Sequence, residues 1–238
     1  ENGYAHTCAI LANGSMRCWG NNTAGQLGDQ TTNPSLTAVP VWGVSQASSI
    51  IAGSLHSCAI LGGLVHCWGY NGSGQLGNGS FFPNSPLVPL RVVGITNATA
   101  LGAGDAHTCA ALATGTLKCW GAGGNGQLGD GGTTTTATPV TVSGITTATA
   151  VSGGSNHTCA LVSGSVRCWG LNGFGQLGNG TNNNSLVPVT VTGITTATAI
   201  ATGFNHACAR LADSTLRCGG ANFAGGLQKI AEDTWAYL

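Results

Sequence analysis

Ten cysteines and six histidines carry most of the reactive chemistry of this 238-residue chain, and all but one of them recur in register. The cysteines form five pairs, Cys8 with Cys18, Cys58 with Cys67, Cys109 with Cys119, Cys159 with Cys168 and Cys208 with Cys218, each 9 or 10 positions apart with none left over. Paired thiols serve either a metal or a disulfide. Zinc sites generally draw on close pairs such as Cys-x2-Cys, which this chain lacks, so disulfides are the expectation. Five bridges imply an oxidising compartment: extracellular, periplasmic or cell surface.

His6, His56, His107, His157 and His206 each stand two residues before the first cysteine of a pair, while His66 is out of register. Five imidazoles repeated once per unit suggest either a ring of ligands around a channel or five identical structural contacts. A ring of five exceeds the three or four protein ligands of a zinc site, so a structural role is expected, each ring bonding backbone at a corner. No cofactor or metal is anticipated.

Catalysis finds little support. Hydrolytic chemistry needs a nucleophile, a base and an orienting group together, whereas Asp29, Asp105, Asp130, Asp213, Glu232 and Asp233 are scattered singly. Asp29 and Asp130 share a register with Asn78 and Asn179, which suits a turn-capping role for all four. The expectation is a protein that is not an enzyme.

The elements that position these residues are set by a repeat. A glycine, two variable residues, His, a small residue, Cys, an apolar run, then Cys-Trp-Gly and Gly-Gln-Leu-Gly recur from Gly3, Gly53, Gly104, Gly154 and Gly203, a period of about 50 residues. Between paired cysteines lie two short apolar stretches and a turn, such as Asn13-Gly14, whose residue types predict a tight type I′ hairpin. That hairpin sets the two cysteines opposite each other. Ala197 to Ala201 reads as a first strand whose small residues suit a crowded inner position, and Val189-Thr190-Val191 after Pro188 as a fourth. No segment holds a 3.6-residue apolar period. The fold class is all-β: a β-propeller of about five four-stranded blades, one intrablade disulfide in each.

At these residues the chain resembles the regulator of chromosome condensation repeat family. Trp19-Gly20 with Gly25 to Gly28, Trp68-Gly69 with Gly74 to Gly77, Trp120-Gly121 with Gly126 to Gly129, and Trp169-Gly170 with Gly175 to Gly178 carry the resemblance. The fifth copy departs from it, with Gly219 in place of Trp and Gly226 in place of Gln. The resemblance implies a propeller, commonly of seven blades. The repeats predict one domain over 1–238, with units at about 3–52, 53–103, 104–153, 154–202 and 203–238. Asp233 to Leu238 falls where a first strand would lie, so the tail either closes a five-bladed ring by completing the first blade or the chain is an arc of a larger ring.

The family's nuclear exchange activity is not expected to transfer, because paired cysteines conflict with a reducing nucleus. The family also has extracellular bacterial members, one of which grips its target through loops on one face. Seven basic and seven acidic residues leave little electrostatic reach for nucleic acid or acidic membranes. No apolar run approaches the roughly 18 residues of a membrane span, and the N-terminus lacks signal-peptide features, so a soluble mature product is expected.

Recognition is expected where the copies differ. Between the repeated Gly and His stand Tyr4-Ala5, Ser54-Leu55, Asp105-Ala106, Ser155-Asn156 and Phe204-Asn205. Tyr4, Leu55, Asp105, Asn156 and Phe204, with Phe174 in a longer loop, are the candidate binding residues, aromatic side chains being common interface anchors. Asn71-Gly72-Ser73 and Asn156-His157-Thr158 are among several N-glycosylation sequons. The function read from the sequence is a secreted or cell-surface, non-catalytic module for protein interaction or assembly, with carbohydrate binding as the alternative.

Overall fold

The computed structural model describes residues 3–82, 85–222, 228–231 and 234–236, the last two stretches as backbone only. Among the described residues the regular structure is entirely β, and no helix is long and apolar enough to cross a membrane. Five antiparallel sheets of three or four strands follow one another. The first holds β1 (His6–Ile10), β2 (Met16–Gly20) and β3 (Ser35–Pro40). The second holds β4 (Ala47–Ala52), β5 (His56–Leu61), β6 (Leu64–Gly69) and β7 (Leu90–Arg91). The third runs β8 (Ala98–Ala103), β9 (His107–Leu112), β10 (Leu117–Gly121) and β11 (Thr136–Thr141). The fourth runs β12 (Ala148–Gly153), β13 (His157–Val162), β14 (Ser165–Gly170) and β15 (Ser185–Thr190). The fifth holds β16 (Ala197–Thr202), β17 (His206–Leu211) and β18 (Leu216–Gly220).

Each sheet is a blade, and each takes its first strand from the end of the preceding sequence repeat. Three blades are four-stranded. The first has no inner strand and the fifth no outer strand among the described residues. Inner strands β4, β8, β12 and β16 together line an axial channel of about 340 Å³, with Ala52, Leu101, Ala103, Ser152, Ile200 and Thr202 on its wall. The small side chains of Ala52, Ala103, Ser152 and Thr202 let four strands approach one axis.

All five cysteine pairs form disulfides. Cys8 is bonded to Cys18, Cys58 to Cys67, Cys109 to Cys119, Cys159 to Cys168 and Cys208 to Cys218. Each bridge joins directly opposed residues of a blade's second and third strands. The bridges do more than staple a hairpin, which is all that their spacing predicts. Cys67 and Cys119 are fully buried, and they belong to the apolar clusters that seat Trp120 and Trp169 of the next blade. On their other flank Cys67 pairs with Leu90 and Cys119 with Val140 of the fourth strand.

The two cysteine spacings have a structural cause. In the second and fourth blades the hairpin is closed by two residues, Gly62-Gly63 and Ser163-Gly164, all four at positive φ, which is the type I′ geometry. In the first, third and fifth the loop is one residue longer. The Leu11 amide there donates to the Ser15 carbonyl and the Gly14 amide to the Leu11 carbonyl, with Gly14 at φ 77°. Asn13-Gly14 is therefore not the type I′ turn predicted for it, since only Gly14 takes the left-handed conformation. Asn13 instead accepts from the Ser15 amide and hydroxyl through its side chain.

The core lies between blades. One cluster joins the first and second blades around Trp68, a second joins the second and third around Trp120, and a third joins the third and fourth around Trp169. The fourth cluster, between the last two blades, contains no tryptophan. As for ring closure, Thr234–Ala236 (β20) pairs with Gln228–Ala231 (β19), and β1 pairs with β2 alone among the described strands. The rest of the tail segment expected to complete the first blade lies outside the described residues.

Candidate functional site

The repeated Gly-x-x-His is a two-residue corner between a blade's inner and second strands. The glycine amide donates to the histidine carbonyl at all five corners, at 2.8–3.0 Å. A Cβ at Gly53 would fall on the His56 imidazole and the Gly104 carbonyl, so only glycine fits beneath the ring. The two variable residues are thereby projected from one rigid frame, repeated five times around the axis.

The histidines hold blades together, and they do so differently from the backbone contact expected of them. His6 Nε2 reaches the Ser57 hydroxyl at 2.8 Å, His56 the Thr108 hydroxyl at 2.9 Å and His107 the Thr158 hydroxyl at 2.8 Å, each on the following blade. Each hydroxyl in turn donates to a Gln carbonyl of the histidine's own blade, Gln26, Gln75 or Gln127. A hydroxyl has one proton, so it must accept from the imidazole, and the network assigns the Nε2–H tautomer with a bare Nδ1. Burial pushes the pKa of His56 and His107 down to about 3 and that of His6 to about 4. Nδ1 of all three has no hydrogen-bond partner, so a proton there would find no acceptor. These are neutral structural imidazoles. Among the described residues no group of three or more His, Cys, Asp or Glu comes together to hold a metal.

The same Gln carbonyls accept a second bond from the next blade's tryptophan: Trp68, Trp120 and Trp169 donate from Nε1 at 2.9 Å to Gln26, Gln75 and Gln127. The glutamine side chains fold back to accept the amide two residues earlier, also at 2.9 Å. Gly-Gln-Leu-Gly is thus an interblade latch. Buried Asn22, Asn71 and Asn172 accept from the amides of Leu27, Leu76 and Leu177. Sequence reading missed these asparagines, although their fixed place two residues after Trp-Gly was a usable signal. With Asn71 fully buried, its sequon presents no accessible amide. Asp29, Asp130, Asn78 and Asn179 cap turns as expected, each accepting the amide two residues on.

The corners converge on one axial depression of about 190 Å³. Tyr4, Ser54, Asp105, Ser155 and Phe204, the first residue of every slot, line it together with the repeated glycines. Tyr4 is 84% exposed and Phe204 62% exposed. Asp105 is the one charged side chain among the described residues lining this mouth. Its carboxylate is set by a relay in which Gln127 Nε2 donates to Asn156 Oδ1, Asn156 Nδ2 to the Ser155 hydroxyl, and Ser155 Oγ to Asp105 at 2.6 Å.

The structure therefore brings Tyr4, Asp105 and Phe204 together and leaves Leu55 out of the lining. Second-slot residues are used through their backbone instead, the carbonyls of Leu55 and Asn156 accepting from Tyr70 and Leu171. Asn156 acts as a support behind the mouth. Phe174, 46% exposed, lies apart from the mouth in the loop between the third and fourth strands of its blade. Antiparallel order puts that loop at the same end of the blade as the corners, as it does exposed Phe81 and Phe82.

Comparison of the chain with known structures finds the same architecture. It is 24% identical to human WBSCR16 over 94% of this chain and 61% of that one, with a TM-score of 0.83. It is 19% identical to yeast RCC1 (Prp20), solved with Kap60, over 98% of this chain and 58% of that one, at a TM-score of 0.80. The ectodomain of the Arabidopsis thaliana receptor kinase ACR4 matches at 21% identity over 94% of this chain and 64% of that one, with a TM-score of 0.55. The chain thus spans about three fifths of the length of these structures. No curated protein matches it. One model of the regulator of chromosome condensation (RCC1) repeat matches residues 62–111, 114–161 and 163–210, and a second matches 3–26, 98–127 and 148–176. Since the first model alone accounts for more than half of the residues, the chain belongs to the RCC1 repeat family.

Proposed function

We propose that this protein is a secreted or cell-surface, non-catalytic propeller that binds a protein partner, or a larger extracellular assembly, through the axial mouth. One domain of 1–238 with five repeats, at about 3–52, 53–103, 104–153, 154–202 and 203–238, presents that face. The observation that carries the reading is the convergence of five variable corners on one depression, with exposed Tyr4 and Phe204 flanking a single positioned carboxylate, Asp105. Exposed aromatics on a rigid frame are the usual anchors of an interface because they bury large area at small entropic cost.

Two comparisons support it. The solved relatives include yeast RCC1 bound to Kap60, and Prp20p described with its binding properties to Gsp1p and histones. A receptor-kinase ectodomain shares the fold, which is a precedent outside the cell. Five disulfides favour an oxidising location.

The test is affinity capture from native extracellular material with the oxidised protein and its Tyr4→Ala/Phe204→Ala variant, quantified by mass spectrometry. Proteins retained by the wild type should fall at least tenfold with the variant, which keeps its melting temperature, and should persist with Phe174→Ala. Equal retention by all three proteins overturns the mouth as the site. Signal on a glycan array with no protein retained assigns the mouth to carbohydrate instead.

A further inference from the structure

The fourth interblade contact lacks the parts that the other three share. Gly219 stands where Trp68, Trp120 and Trp169 stand, and Ala207 where Ser57, Thr108 and Thr158 stand. Neither residue has a side-chain donor to offer the Gln176 carbonyl, whereas the equivalent carbonyls of Gln26, Gln75 and Gln127 each receive an indole N–H and a hydroxyl. In the other interfaces a glycine lies flat against the indole: a Cβ at Gly77 or Gly129 would stand 2.6 Å from Nε1 of Trp120 or Trp169. Gly178 occupies the same place, and a Cβ there would meet only Val191.

What remains is a cavity of about 340 Å³, walled by Gln176, Gly178, Val191, Ile200, Ala207 and Gly219. That lies within the ~300–1,000 Å³ range of ligand pockets, and about 150 Å³ of apolar space suffices to bind benzene. A second observation is independent of the volume. Gln176 is 1% exposed and its Nε2 has no hydrogen-bond partner, although the amides of Gln26 and Gln127 donate to Asn21 and Asn156.

We propose that the gap between the fourth and fifth blades is a binding site for an indole ring, seated where the other interfaces carry their own tryptophan and donating its N–H to the Gln176 carbonyl. The frame is already shaped for this ring: a flat glycine floor, aliphatic walls and an acceptor at the depth where three sister interfaces hold an indole nitrogen. The ring reaches the site as a free indole. The mouth plays no part in this site.

The test titrates free indole into the intact, oxidised protein, followed by calorimetry and by methyl NMR. Saturable one-site binding is expected, with shifts at the methyls of Val166, Val191, Ile194 and Ile200. 1-Methylindole, which keeps the ring and loses the donor, should bind at least fivefold more weakly. Gly219→Trp should abolish binding and raise the melting temperature. No saturable binding overturns the proposal, as does binding that leaves those methyls unshifted, a readout that holds even if Gly219→Trp does not fold.

Discussion

A histidine buried as the neutral form makes stability depend on pH with a definite sign. His6, His56, His107 and His157 have folded pKa values near 3 to 4, against 6.5 when unfolded, because burial penalises the charged ring. Between those limits the unfolded chain binds more protons than the folded one, so stability falls as pH drops below 6.5. Each such histidine should remove about 1.4 kcal/mol at pH 5.5 relative to neutral pH, several kcal/mol in all. Urea midpoints at pH 7.5, 6.5, 5.5 and 4.5 check this, and a flat series would refute it. His157 differs from the other three because Ala207 offers it no hydroxyl, and the nearby His206 backbone opposes part of its downward shift. The recurrence of these residues was legible in the sequence, where one histidine stands at the same place in every copy. Their partner was not. Thr108 lies 52 positions from His56, and only the packing of one blade on the next brings them together.

At the scale of the element, the cysteine spacing carries more information than the turn residues. A separation of 9, as between Cys58 and Cys67, goes with a two-residue turn, and a separation of 10, as between Cys109 and Cys119, with a three-residue one. Both must leave the two cysteines directly opposed. Asn13-Gly14 misled for this reason: the extra residue moves the left-handed position onto Gly14 alone. Ser163 shows the opposite case, a non-glycine at φ 51° in a two-residue turn where the second blade has Gly62. Its Cβ is strained there and the position is exposed. Ser163→Gly should therefore stabilise the protein by about 0.5–1 kcal/mol, read from thermal or urea unfolding, because relief of the left-handed strain outweighs the added freedom of the unfolded chain. Loss of stability would show that the Ser163 hydroxyl bond to Thr147 at 3.0 Å matters more than the backbone.

For the whole molecule, the packing that holds the fold together lies between blades. The interblade clusters, the histidine relay and the tryptophan latch all join a blade to its successor. The innermost described strand of the first blade is β1, which pairs with β2 alone among the described strands, whereas β5, β9 and β13 are flanked on both sides. Amide deuterium exchange should accordingly run at least tenfold faster across residues 6–10 than across 56–61, since an edge lacking a neighbour opens more readily. Equal protection would show that a further strand covers β1 in solution.

The sequence by itself determined the repeat, the all-β class, the pairing of ten cysteines and the frame of five variable corners, because each of these is written in spacing within one unit of about 50 residues. Tertiary structure alone decided that the first residue of each corner faces the axis while the second turns its carbonyl to the blade. It also decided that Leu55 and Phe174 stand apart from the mouth, that Cys67 and Cys119 join the interblade core, and that losing Trp at Gly219 opens a cavity against Gln176. Those outcomes depend on contacts between units some fifty residues apart in sequence, where direction and distance are set by how one twisted sheet packs on the next.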